Sequence, residues 1–164
     1  MVVVVVASNI AVQYPINDWL TWGAITYPFA FLVTDLTNRR YGPAEARRVV
    51  YVGFALAVLL SIWLADPRIA LASGAAFLTA QLLDILIFNR LRATSWWQAP
   101  LISSGLASTW DTAVFFVLAF AGTGLPWHTW ALGDLGAKAA MALLLLLPFR
   151  ALMSSRDALA VPAR

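Results

Sequence analysis

Three aspartates interrupt otherwise apolar runs of this chain: Asp35, Asp84 and Asp111. A carboxylate at the centre of a bilayer costs about 2.5 to 3.5 kcal/mol on insertion scales, so each needs a partner, a cavity or a task. Their local company differs. Asp35 is followed four residues later by Arg39, the favourable order for a helical ion pair, and a helix-end salt bridge or a place in a binding site would each account for it. Asp84 has Ile87 and Phe88 at the third and fourth positions beyond it, neither able to offset a charge. Asp111 lies 19 residues from Arg92 and 27 from Lys138, which makes it the strongest single site candidate.

Helical spacing gives these acids company of a definite kind. Phe77, Gln81, Asp84 and Phe88 share one face of a helix, and Ser104, Ser108, Asp111 and Phe115 share one face of the next. Interhelical hydrogen bonding, worth about 0.6 kcal/mol per contact in membranes, accounts for Ser103, Ser104, Ser108 and Thr109. It accounts poorly for two carboxylates without local partners. Carboxylates and a glutamine suit the planar edge of a ligand with adjacent N–H donors, while Phe77, Phe88, Phe115, Tyr27 and Trp110 can supply flat apolar walls. A small aromatic heterocycle meets both requirements. The expectation is a midplane pocket lined by Asp84 and Asp111, completed by Gln81 and Ser108, with Asp35 as a secondary member.

The elements that must position these residues are membrane helices. Of 164 residues 62% are hydrophobic and 12% charged, with a mean hydropathy of +0.79, more apolar surface than a small globular core could hide. Six apolar stretches predict an all-α integral membrane protein: one domain, residues 1–164, with six transmembrane helices near 1–14, 19–37, 46–64, 69–89, 97–122 and 134–152. The first is short for a crossing, and no Lys or Arg precedes the Val2 to Val6 run as a signal peptide would require. The absence of cysteine excludes thiolate catalysis and cysteine metal sites, and the one histidine, His128, excludes a multi-histidine centre. No cofactor or metal is expected.

The basic residues report orientation. Arg39, Arg40, Arg47, Arg48, Arg90, Arg92, Arg150, Arg156 and Arg164 fall on one side and Arg68 alone on the other, which predicts both termini in the cytoplasm and a multi-pass protein of the inner membrane. Their confinement to short loops argues against a nucleic-acid partner. Trp19, Trp22, Trp63, Trp127 and Trp130 are placed at the outer headgroup layer and Trp96 with Trp97 at the inner one, with His128 in an outer loop.

Three strings, in order, carry a family resemblance: Thr26 to Asn38 (TYPFAFLVTDLTN) followed by Tyr41-Gly42-Pro43; Gln81 to Phe88 (QLLDILIF); and Ser108-Thr109-Trp110-Asp111-Thr112 with Phe115-Phe116. Together they resemble the queuosine precursor transporters of the vitamin uptake transporter type, and the likeness extends from Ser8-Asn9 to Pro148. Where many members carry a glutamate after the Asp-Leu segment, this chain reads Asn38-Arg39-Arg40. The resemblance implies six helices arranged like the substrate-binding subunits of energy-coupling-factor importers. It also implies uptake of 7-cyano- or 7-aminomethyl-7-deazaguanine across the inner membrane. Substrate contacts would then come from Asp84, Asp111, Gln81, Ser108, Asp35, Asn9, Tyr27, Phe88, Phe115 and Trp110. Protonation of a buried carboxyl would give one means of coupling uptake to a proton gradient.

Alternatives divide by class. A binding subunit of an importer for another vitamin or purine would need an energising partner, and Ala7 and Ala11 offer a small-residue contact for such a helix or for a second copy of the chain. An intramembrane aspartyl enzyme would need two facing aspartates, one in Gly-x-Gly-Asp. Ala131-Leu132-Gly133-Asp134 lacks the first glycine, and Asp134 is predicted to cap the last helix. Serine proteolysis would need a histidine at membrane depth beside Ser103-Ser104. The expectation is a carrier, not an enzyme.

Overall fold

In a computed structural model of the chain, residues 1–11, 14–17, 19–64 and 67–153 are described. The fold is all-α apart from one short hairpin. Helix α1 (Val2–Ala11) leads into strands β1 (Pro15–Asn17) and β2 (Leu20–Thr21), paired antiparallel. The turn is held by Asn17 Oδ1, which accepts from the backbone N–H groups of Trp19 at 2.8 Å and Leu20 at 3.0 Å. Then follow α2 (Trp22–Thr26), α3 (Pro28–Tyr41), α4 (Pro43–Leu64), α5 (Pro67–Leu91), α6 (Gln98–Phe120), α7 (Trp127–Leu144) and α8 (Leu146–Leu152).

Proline and glycine set most of the boundaries. Pro28 opens α3 directly after α2, so the predicted second helix is two segments joined at Tyr27. Gly42, at a φ of 91°, ends α3 and Pro43 begins α4, putting the start of that helix ahead of residue 46. Pro148 has no N–H to give the carbonyl of Leu144, and the last rod breaks there into α7 and α8. That rod starts at Trp127 instead of residue 134, which corrects two expectations. His128 lies in the first turn of α7, stacked on Trp127 with ring centroids 3.8 Å apart, and not in a loop. Asp134 sits two turns inside the helix and caps nothing.

Read by continuity, the eight segments make six consecutive rods. Among the described residues three helices are long and apolar enough to cross a membrane, against the six expected: Pro67–Leu91, Gln98–Phe120 and Trp127–Leu152. Their outward faces carry Leu71, Leu86, Leu106, Val117, Leu132, Leu143 and Leu147, all exposed, as a lipid-facing surface requires. Small residues let α5 and α6 approach closely along their length, through Ala72, Ala76 and Ala80 on one and Ala99, Ser103 and Ala107 on the other. α4 packs on the far side of α5, α7 on α6, and α3 against α4 and α5. At one end Arg39 Nη1 donates to the carbonyl of Arg92 at 2.7 Å, Arg92 returns a bond to the carbonyl of Arg39, and Arg150 lies over the Trp96 ring. Trp63 and the terminal arginines Arg156 and Arg164, used above to read sidedness, fall outside what is described.

Candidate functional site

The interior combines apolar clusters around Phe31, Phe77 and Phe88 with polar side chains gathered between the helices. Thr34, Asp35 and Asn38 of α3, Gln81 and Asp84 of α5, Ser103, Ser104, Ser108, Asp111 and Thr112 of α6, and Lys138 of α7 are all buried. The spacing arguments hold at the level of faces: Phe77, Gln81, Asp84 and Phe88 all point inward, as do Ser104, Ser108 and Asp111. They do not make a single acid site. Asp84 and Asp111 belong to two different clusters.

The first cluster joins α3, α5 and α6. Ser104 Oγ donates to Asp35 Oδ2 at 3.1 Å and lies 3.5 Å from Asp84 Oδ1, so one hydroxyl serves both acids. The shared Ser104 hydroxyl sets the carboxyl groups of Asp35 and Asp84 side by side, with Ser103, which donates to the carbonyl of Pro100, close to Asp84. Beside them Thr34 donates to Gln81 Oε1 at 2.6 Å, and Asn38 Nδ2 donates to the carbonyl of Ile85. Asp35 Oδ1, Asp84 Oδ2 and Gln81 Nε2 are buried without a hydrogen-bond partner. Orphaned buried polar atoms carry a desolvation cost of roughly 1 to 3 kcal/mol each, and such atoms mark places where a ligand or ion completes the set.

The second cluster joins the Tyr27 break to α6 and α7, and it is saturated. Lys138 is the residue of α7 that is buried. Its Nζ lies 2.7 Å from Asp111 Oδ2, 2.5 Å from Asp134 Oδ2 and 3.2 Å from Thr112 Oγ1, with the Tyr27 ring centroid 5.2 Å away. Tyr27 Oη donates to Asp111 Oδ1 at 2.9 Å and Thr112 Oγ1 donates to Asp134 Oδ2 at 2.8 Å. Both oxygens of Asp111 are therefore engaged and all three protons of the ammonium have acceptors. Asp111, the most isolated acid by sequence, has the fullest set of partners.

Between the clusters lies a cavity of about 20 Å³, lined by Pro28, Phe31, Leu32, Asp35, Pro100, Ser104, Ser108, Lys138, Ala142, Leu145, Leu146 and Phe149. That is room for about one water molecule, far below the roughly 300 to 1,000 Å³ of sites that enclose drug-sized ligands. Asp35 and Ser108 thus border the space, Asp84 stands behind Asp35, Gln81 holds the neighbouring Thr34, and Asp111 with Tyr27 stands behind Lys138. The remaining aromatics lie elsewhere. Phe88 packs edge-on against Phe149 with ring centroids 6.2 Å apart, and Phe115 belongs to an aromatic group with Phe116 and Phe120. Trp110 is half exposed on the outer face of α6, where its indole N–H donates to Thr79 Oγ1 at 3.0 Å. The side chain of Asn9 lies outside the described residues. Lys138, Asp134 and Thr34 were not among the site residues selected from sequence, and Ser104 entered only as a member of the α6 face. The Asp134–Lys138 spacing of four was the available signal, passed over because Asp134 was read as the cap of the last helix.

Residues 21–153 match the family described as "Putative vitamin uptake transporter". The chain belongs to this family. It is 36% identical to the "Probable queuosine precursor transporter" of Haemophilus influenzae (strain ATCC 51907 / DSM 11121 / KW20 / Rd), over 71% of this chain and 65% of that protein. Identity is also 36% to the "Queuosine precursor transporter" of Escherichia coli (strain K12), over 71% and 64%, and 28% to the "Probable queuosine precursor transporter" of Bacillus subtilis (strain 168), over 62% and 57%. The chain spans less than two thirds of the length of these curated relatives. No solved structure matches it.

Proposed function

We propose that this vitamin uptake transporter family member carries queuosine precursors, 7-cyano- or 7-aminomethyl-7-deazaguanine, across the bacterial inner membrane. The observation that carries the reading is Asp35: a membrane-buried acid that borders the cavity with one oxygen unpartnered. The lactam and amino edge of a 7-deazaguanine presents two adjacent N–H donors, which an ionised carboxylate accepts in parallel. In this proposal Asp35 takes that edge, Ser104 and Ser108 bond its flanks, and Phe31 and Phe149 close on the ring faces. Gln81 and Asp84 buttress Asp35, while the Asp111–Lys138–Tyr27 network holds the opposite wall.

A cavity of about 20 Å³ is a closed form, so admission of a base moves a wall. The movable wall is α8, which supplies Leu146 and Phe149 and is joined to α7 through the break at Leu145. Six crossings with the arginine-rich end in the cytoplasm, in the manner of energy-coupling-factor binding subunits, complete the proposal. The names of the relatives, queuosine precursor transporters, support the substrate class.

The test is binding or uptake of a panel comprising both 7-deazaguanines, guanine and biotin, on the wild type and on Asp35→Asn. Loss of one charge-assisted hydrogen bond is worth about 1.5 to 3 kcal/mol, so affinity for the deazaguanines falls about 10- to 150-fold. Equal responses in both proteins, or a preference for biotin, refute the assignment.

A further inference from the structure

Asp84 takes no part in holding the base directly. Asp84 is fully buried, does not border the cavity, and among the described residues meets Ser103, Ser104 and Asp35 and no lysine or arginine. Its Oδ2 has no hydrogen-bond partner, nor does Oδ1 of Asp35 beside it. Two ionised carboxylates side by side in a lipid-enclosed interior repel strongly, and like-charged acids sharing a site hold a proton between them. A metal ion would instead separate the two groups within a shell of several oxygens. The nearby amide oxygen of Gln81 is already taken by Thr34.

We propose that Asp84 is the proton site that couples uptake to a proton gradient, lying directly behind the acid that receives the base. A proton from one aqueous face bonds to a carboxylate oxygen of Asp84, and that O–H bond breaks to release it at the other face; no electrons are exchanged. With Asp84 neutral, Asp35 can remain ionised and accept the N–H edge of the base. With Asp84 ionised, the pair is doubly charged and the closed form is disfavoured. Proton and base therefore load together. This deepens the uptake reading and rests on it.

Among the described residues, charged groups on each packed element have partners of their own, and on α5 itself Arg68 donates to the carbonyls of Leu118 and Ala121. On α3 the guanidinium of Arg39 reaches the carbonyl of Arg92. On α7 the ammonium of Lys138 lies between Asp111 and Asp134, with Tyr27 against Asp111. Arg150 of α8 lies over Trp96, and Glu45 and Arg48 of α4 pair with each other at the surface.

Two measurements on the full chain in proteoliposomes test the proposal. A membrane-permeant carbodiimide adds covalently to protonated carboxyl groups in lipid-enclosed sites. The adduct is expected on the peptide containing Asp84, diminishing as pH rises and absent in Asp84→Asn. In transport, the wild type accumulates 7-cyano-7-deazaguanine when the outside is acidic. In Asp84→Asn the ratio of accumulation with and without the pH gradient falls to about one, and Asp84→Glu restores it. An adduct on Asp35 with none on Asp84, gradient dependence surviving in Asp84→Asn, or a sodium gradient replacing the pH gradient overturns the proposal. If the wild type takes up no deazaguanine at all, the uptake reading fails. The carbodiimide result then still decides whether Asp84 holds a proton, even if Asp84→Asn does not fold.

Discussion

Replacing Lys138 by methionine removes one charge from a buried network and keeps the length of the side chain. The ammonium is held at 2.7 Å by Asp111 and 2.5 Å by Asp134, with side-chain exposures of 7% and 18%. Breaking a buried ion pair by deleting one partner costs roughly 3 to 5 kcal/mol, because the surviving charge stays out of water. The lower end applies here, since Asp111 keeps the hydroxyl of Tyr27 and Asp134 keeps that of Thr112. A loss of about 3 kcal/mol lowers the melting temperature by about 6 to 12 °C for a chain of this size. The assay is thermal unfolding in nanodiscs of Lys138→Met, Asp111→Asn and the double variant. The double variant should lose at least about 1 kcal/mol less than the sum of the singles, because removing the ammonium matters less once Asp111 is neutral. Arg48→Met is the comparison: its pair with Glu45 is largely exposed and contributes at most about 0.5 kcal/mol. If Lys138→Met is no worse than Arg48→Met, or the single effects simply add, the network is not the clamp its geometry describes.

Three further outcomes follow from packing. A Cβ on Gly133 would lie 2.8 Å from the carbonyl oxygen of Trp19, a backbone atom, whereas one on Gly53 would lie 2.6 Å from Cγ of Met1, partway along a flexible side chain. Gly133→Ala should therefore lower thermal stability and displace the β1–β2 hairpin, while Gly53→Ala should cost less, because the Met1 side chain can turn aside and helix propensity returns up to about 1 kcal/mol. Phe149→Ala opens space beside Phe88 and should cost about 3 to 5 kcal/mol in nanodisc melting; a cost below 1 kcal/mol would mean that α8 is not docked as described. Trp110→Phe removes one hydrogen bond to Thr79 on the outer face, at about 0.5 to 1.5 kcal/mol, and leaves the deazaguanine response of the panel unchanged. A lost response would put the indole against the ligand.

Faces were legible and partners were not. Spacings of three and four placed Gln81 with Asp84 and Ser104 with Ser108 and Asp111, and each of these side chains is buried. The same periodicity says nothing about how far one helix slides or rotates against the next. It was those freedoms that sent Asp111 to Lys138 and Asp84 to Asp35. Trp110 shows the complementary limit: its depth within an apolar stretch was readable, but its direction depends on which side of α6 packs against α5.

Composition and pattern alone determined that this is a membrane protein built of helices, because 62% apolar residues in runs of helical length have no other stable solvent. They also marked the acids that needed an explanation, and the strings around those acids pointed to the family. Tertiary structure decided which acid is satisfied and which is open, since a partner 27 or 49 positions away is brought close only by the mutual register of α3, α5, α6 and α7. Local sequence carries the cost of burying a charge, and only packing supplies the group that answers it.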